Sequence, residues 1–139
     1  MHAVVESNRG HNLGRVLWKG QAEEDTGVPA PVAGYTEQRL LRAPQKGLFQ
    51  TAHEIGDLVN PGEVVARVNG HPVQAQIKGV LRGLLKDGIS VEEGIKAGDI
   101  DPRGEREYCY LISDKARAIA GGVLEAILHS LKDPDFPSP

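Results

Sequence analysis

A mainly β chain closed by one carboxy-terminal α-helix is predicted, on three observations. The first is a repeat: at a constant offset of 32 residues Ala43 matches Ala75, Lys46 Lys78, Gly47 Gly79, Gly56 Gly88, Val59 Val91, Gly62 Gly94 and Val68 Ile100, without a gap. Glycines that turn the chain therefore recur in step with apolar residues that need burial. The second is composition, since seventeen glycines and nine prolines in 139 residues favour turn-rich β structure over long helices. The third is a change of period after Ser113. Ala116, Ile119, Val123, Ile127 and Leu131 fall at helical spacing, and Ala120, Leu124 and Leu128 widen the stripe.

In chain order, residues 2–6 read as a short strand and Ser7 to His11 as a polar loop. Gly14 to Gly20 reads as a second strand, and Glu23–Gly27 with the proline-bearing Val28–Ala33 as a loop. In the first half of the repeat, Gly47–Thr51 and Val64–Val68 are strand candidates separated by the turn-formers Ile55-Gly56-Asp57 and Asn60-Pro61-Gly62. Gly79–Leu85, Asp87-Gly88 and Glu93–Ile100 occupy the corresponding places in the second half. Asn69-Gly70 between Val68 and Val73 predicts a two-residue type I′ hairpin where the halves meet. Asp99–Gly104 is expected to be a charged turn, and Tyr108–Ile112 a strand. Ser113 is the expected N-cap of a helix running to about Lys132, with Asp114 at the positive end of its dipole. That role explains Ser113 better than a serine–lysine nucleophile pair with Lys115, because neighbouring helix positions do not face one another in the required way. Gly121-Gly122 interrupts the helix and is tolerable where another backbone comes close. Asp133-Pro134 ends it, and Phe136–Pro139 reads as a loose tail.

The pattern Ala43-Pro44-x-x-Gly47, Gly56-Asp57-x-Val59-x-x-Gly62, hairpin, Ala75-x-x-x-Gly79, Gly88-x-x-Val91-x-x-Gly94 resembles the barrel-sandwich hybrid of biotinyl and lipoyl carrier domains. The resemblance implies that fold for residues 40–103, inside a single domain 1–139. The other segments are amino-terminal strands and loop 1–39, a strand and helix 104–132, and a tail 133–139. A carrier domain of that family attaches its cofactor to a lysine at the central hairpin. Here the tip is Asn69-Gly70-His71-Pro72, and no lysine occurs between Lys46 and Lys78. No covalently bound cofactor is therefore expected.

Net charge is −3 and the aromatics are one Trp, three Tyr and two Phe. Phosphate binding on a nucleic acid needs a concentrated basic surface, and stacking needs aromatic platforms, so nucleic acid is excluded as the expected partner. One cysteine cannot form an internal disulfide, and no apolar run approaches the roughly 20 residues of a membrane span. The start lacks the basic and apolar regions of a signal peptide, which leaves the cytoplasm as the expected compartment.

Over nearly the whole chain the resemblance becomes more specific. Glu6-Ser7-Asn8-Arg9-Gly10-His11, Leu13-Gly14-Arg15-Val16, Asp25-Thr26-Gly27, Leu41-Arg42-Ala43-Pro44, Gly79–Leu84, Gly98–Arg103, Ser113–Ala116 and Gly121–Leu128 together resemble the carboxy-terminal half of the selenium-dependent molybdenum hydroxylase system protein family, the YqeB-like proteins. The resemblance implies a maturation or accessory role beside enzymes of the xanthine dehydrogenase class, which hold molybdopterin and labile selenium, and not hydroxylation itself. It implies a molybdoenzyme or its maturation factors as partners, and a transient molybdopterin or selenium species as the ligand. Family members carry an additional amino-terminal half of dinucleotide-fold type. The strand-like start here is expected to leave an apolar surface that pairs with a separate dinucleotide-fold protein or forms a homo-oligomer through the amino-terminal strands.

Candidate chemistry is sparse. His2, His11, His53, His71 and His129 are scattered, His53-Glu54 is not followed by the second histidine of a zinc helix, and no metal site or catalytic group is expected. Cys109 is the one soft ligand; a thiolate there would hold selenium or a metal, whereas buried in a strand it would be a small apolar residue. Arg9, His11, Arg15, Arg42 and Arg103, with Asp99 and Asp101, sit in or beside glycine- and proline-punctuated turns and form the candidate ligand or docking patch. Guanidinium forks suit phosphates such as that of a pterin cofactor. The alternative is ion pairing with Glu6, Asp99 and Asp101. An unmodified lipoyl- or biotinyl-like interaction module, and a cofactor carrier, are the other readings kept.

Overall fold

A computed structural model describes residues 2–24 and 27–132. Met1, Asp25-Thr26 and the tail from Asp133 lie outside the described residues. Two compact units are formed, one from the described residues up to 27 together with 112–132, the other from 28–111.

In the first unit, strands β1 (Val4–Val5) and β2 (Val16–Leu17) pair antiparallel, Val4 opposite Leu17 and Val5 opposite Val16. Both are shorter than their apolar stretches suggested, because the intervening chain organises itself around one carboxylate. Glu6 is buried and accepts the backbone N–H groups of Asn8 and Glu23, both at 2.8 Å. The amide of Asn8, followed by that of Glu23, holds this carboxyl below its usual pKa range. Helix α1 (Asp114–Ser130) begins as predicted, with Ser113 Oγ accepting the Ala116 N–H at 3.1 Å. Asp114 receives both terminal nitrogens of Arg9, at 2.6 and 2.8 Å. Gly122 is the buried residue of the helix and lies against the Gly14 carbonyl and Val5, so a Cβ there has no room. Close backbone approach thus accounts for a helix-interior glycine. Near the other end of α1, the Trp18 and His129 rings meet at 4.2 Å between centroids.

The second unit holds two four-stranded antiparallel sheets. Its strands are β3 (Leu40–Arg42), β4 (Gly47–Gln50), β5 (Leu58–Val59), β6 (Val64–Val68), β7 (His71–Gln74), β8 (Gly79–Leu84), β9 (Ser90–Val91) and β10 (Lys96–Asp101). The sheet orders are β3-β10-β8-β5 and β7-β6-β4-β9. Each strand of one sheet has its counterpart displaced by 32 residues in the other, and the registers repeat as well. Phe49 faces Val68 as Leu81 faces Ile100, and Gly47 faces Val91 as Gly79 faces Val59. Even the bulges correspond, between Val64 and Ala66 and between Lys96 and Gly98. Alternating residues of both sheets, among them Phe49, Val59, Val65, Val68, Leu81 and Ile100, bury an aliphatic core, each large side chain contributing roughly 1.5–3 kcal/mol. The two-residue connection β6–β7 has Asn69 at φ 47° and Gly70 at φ 86°, the pair of positive values that a type I′ turn requires.

Two predicted elements are corrected. Asp99–Asp101 belongs to β10 and not to a turn; each carboxylate is matched by an arginine, which makes it tolerable within a strand. Tyr108–Ile112 is not a strand. A short 3-10 helix covers Arg106–Cys109, followed by Tyr110 and Ile112, each 68% exposed. Neighbouring β8 is flanked on both sides, by β10 and β5, and so offers no free edge for a further strand. No helix among the described residues is long and apolar enough to cross a membrane.

Candidate functional site

The most concentrated chemistry lies where β10 ends. Pro102 stops the strand, the Gly104 N–H returns to the Asp101 carbonyl at 3.2 Å, and this tight turn folds Arg103 back over Asp101. Arg103 gives Asp101 three hydrogen bonds, from its backbone N–H at 3.1 Å, Nε at 2.9 Å and Nη2 at 2.6 Å. Arg82, on β8, reaches the same carboxylate at 3.4 Å. The side chain of Asp101 is 2% exposed. The Arg103 hydrogen bond outweighs burial and, with the charge of Arg82, keeps the carboxyl below its usual range. Asp101 is therefore an ionised anchor and no general base. Arg103, still 42% exposed, also lies over the Tyr108 ring at 4.6 Å.

Cys109 lies beside this cluster, in the 3-10 helix and half-buried, not within a strand as expected. Its thiol donates to the Leu81 carbonyl at 3.6 Å. Burial pushes its pKa up; Arg82 and Arg106 oppose this and Asp101 adds to it. The group is thus held as a thiol, the form less suited to metal or selenium binding.

Four of the predicted patch residues lie in the second unit. Asp101 and Arg103 are brought together. Asp99 pairs instead with Arg39, whose Nη2 meets both carboxylate oxygens at 3.1 Å. Arg42 faces Lys96 at the opposite end of β10 from Asp101, about 16 Å away by strand rise. There it donates to the Gly94 carbonyl and lines an open groove of about 530 Å³ between the edge strands β3 and β7. The other three lie in the first unit. Arg9 is bound to Asp114, Arg15 reaches Asn12 at 3.5 Å, and His11 is exposed.

Arg39 escaped sequence reading. It is 7% exposed and, besides Asp99, donates to the carbonyls of Ala30 and Ile100. Its place immediately before the apolar pair Leu40-Leu41 was the only available signal. A second polar group, also unforeseen, sets His53 between Asp57 at 3.3 Å and Glu63 at 3.9 Å. Asp57 is held below its usual pKa chiefly by the Glu54 N–H, so its main role is in the turn. Among the described residues no group of three or more His, Cys, Asp or Glu could hold a metal ion.

No family model matches the chain. Over 127 residues it is 51% identical to the Uncharacterized protein YqeB of Escherichia coli (strain K12), a match covering 91% of this chain and 24% of that protein. The chain thus spans about a quarter of the length of this curated relative. A crystal structure of an aspartoacylase family protein from Mesorhizobium loti is similar over 60% of this chain and 27% of its own, at 20% identity and a TM-score of 0.42.

Proposed function

We propose that this chain is a non-catalytic accessory module for selenium-dependent molybdenum hydroxylases of the xanthine dehydrogenase class, built as a barrel-sandwich hybrid of the biotinyl and lipoyl kind. The fold reading is supported by the strand-for-strand correspondence of the two sheets at an offset of 32 residues. The observation that carries the functional reading is the state of the hairpin tip. Asn69 turns its Oδ1 back onto the Leu48 N–H at 3.0 Å, in a loop without lysine. A corner that a carrier would use to present a swinging arm is tied to the sheet, which suits an interaction module. The molybdenum hydroxylase as partner, and a molybdopterin phosphate or selenium species as ligand, are both proposed from the sequence resemblance.

The test is to purify the hydroxylase from cells with and without the region encoding this chain. Its molybdenum, selenium and activity are then measured per polypeptide. All three, or selenium and activity, are expected to fall while the amount of polypeptide stays constant; unchanged contents and activity overturn the proposal. Intact mass of the native protein should show no lipoyl or biotinyl increment.

A further inference from the structure

The tip of the β6–β7 hairpin holds a reactive pair of groups that the fold keeps apart. Of the four asparagines in the chain, Asn8 precedes Arg9, Asn12 precedes Leu13, Asn60 precedes Pro61 and Asn69 precedes Gly70. A side-chain carboxamide beside the next residue's backbone N–H is set up for an intramolecular acyl transfer. The backbone nitrogen attacks Cγ, the Cγ–Nδ2 bond breaks, and the proton of the attacking N–H leaves with Nδ2 as ammonia. Water then opens the five-membered imide, at one carbonyl to aspartate and at the other to isoaspartate. Proline has no N–H to attack with, and a Cβ such as that of Arg9 or Leu13 crowds the nitrogen, whereas Gly70 has neither obstacle. Both Asn69 and Gly70 are exposed, so water reaches the pair.

In the folded chain Asn69 is clamped twice to Leu48. Its backbone N–H donates to the Leu48 carbonyl at 3.3 Å, and its Oδ1 accepts the Leu48 N–H at 3.0 Å. The carboxamide lies against Gly47, where a Cβ would run into Nδ2, Cγ and Oδ1. These contacts all lie on the β4 side of β6, while Gly70 leads into β7, which borders β6 on its other side. Cγ is thereby turned from the nitrogen that must attack it, and such a step needs its two atoms aligned at about 3–3.5 Å. We propose that Asn69 is a deamidation site gated by the fold: the clamp on β4 suppresses the reaction, and opening of the β4–β6 edge releases it. Aspartate at this position keeps an acceptor for the Leu48 N–H. Isoaspartate carries the main chain through the former side chain, which adds a carbon to a two-residue turn that sets the register of β6 and β7. Conversion to isoaspartate is thus a one-way change at the tip of the module.

The test is to incubate the full chain at mildly alkaline pH, folded and in guanidinium, and to follow the peptide containing residue 69 by the mass increment of an amide-to-acid exchange. The folded protein is expected to convert at least about tenfold more slowly than the unfolded chain. Gly47→Ala, which displaces the carboxamide, should recover most of that difference. Val59→Ala, a core change away from the clamp, serves as the control for general loss of stability and should convert close to the wild-type rate. Equal rates in the folded and unfolded wild type overturn the gate, a comparison that stands even where Gly47→Ala fails to fold. Absence of conversion at Asn69 in the unfolded chain overturns the site. A folded Gly47→Ala protein that converts no faster than Val59→Ala overturns the assignment of the gate to the contact with β4.

Discussion

Phe49 in the first half of the repeat and Leu81 in the second occupy corresponding places, one facing Val68 and the other Ile100, all four buried. The next turns part company. Asn69 in the first half corresponds to Asp101 in the second. Asn69 caps the Leu48 N–H and reverses the chain into β7, whereas Asp101 gathers Arg103 and Arg82 and the chain leaves toward the 3-10 helix. Along the rim, His53, Asp57 and Glu63 stand where the second half has Leu85, Ile89 and Ile95. Core positions repeat because both sheets need the same shape of apolar surface, and packing punishes change in volume. Rim positions are only partly buried, Leu85 and Ile89 packing against the edge of the core, so the same backbone accepts a polar group in one half and an apolar one in the other. The candidate chemistry lies where the two halves differ.

The comparison breaks most severely in the core. Phe49→Ala is expected to cost about 3–5 kcal/mol and Leu81→Ala about 2–5 kcal/mol. If the two halves form one cooperative core, either variant lowers the urea midpoint measured by probes in both sheets. A shift confined to the mutated sheet would mean that the halves unfold separately.

Asp101→Asn sharpens the contrast at the turns. It keeps the shape and removes the charge that two arginines share, at an expected cost of about 2 kcal/mol, moderated by the exposure of Arg103. Because the folded pKa of Asp101 is lowered, its contribution is fully present above the ordinary carboxylate value of about 4. It disappears as pH falls from there through the lowered folded value. Wild type should therefore lose stability across that acid window more steeply than Asp101→Asn, as read from urea midpoints at a series of pH values. Parallel pH dependences would show that the Arg82 and Arg103 contacts contribute nothing through charge.

The smallest effect is expected at the rim. His53→Leu makes the first half resemble the second at this place, and stability should change by no more than about 0.5 kcal/mol, because the ion pairs removed are long and partly exposed. A loss of several times that amount in a denaturant titration at neutral pH would show that His53 has a structural role the second half fills with Leu85.

Much of this architecture was legible in the residues. The offset of 32, the Asn69-Gly70 turn, the Ser113 cap and the tolerance of Gly122 were all read from spacing and turn chemistry, which act over a few residues or repeat at a fixed interval. The site was less legible. Arg39 and Asp99 are 60 positions apart, Arg82 and Asp101 are 19 apart, and no local rule says which arginine a carboxylate will meet. For the same reason Asp99 and Asp101 looked like turn residues until their partners in space were known.

What the sequence by itself determined is the repeated pattern of burial and turning, and with it strands β4, β6, β8 and β10 and the hairpin after β6, though not the short strands β3, β5 and β9, because backbone preferences and apolar periodicity are local properties. What only the tertiary structure decided is which side of each element meets another. The stripe of α1 was plain in the sequence, yet Gly122 and its small neighbours turned inward and left Leu124, Leu128 and Leu131 outside. Hydrophobicity determines that a face must be covered. Only the shapes available nearby determine what covers it, and against Gly14 a glycine approaches where a leucine has no room.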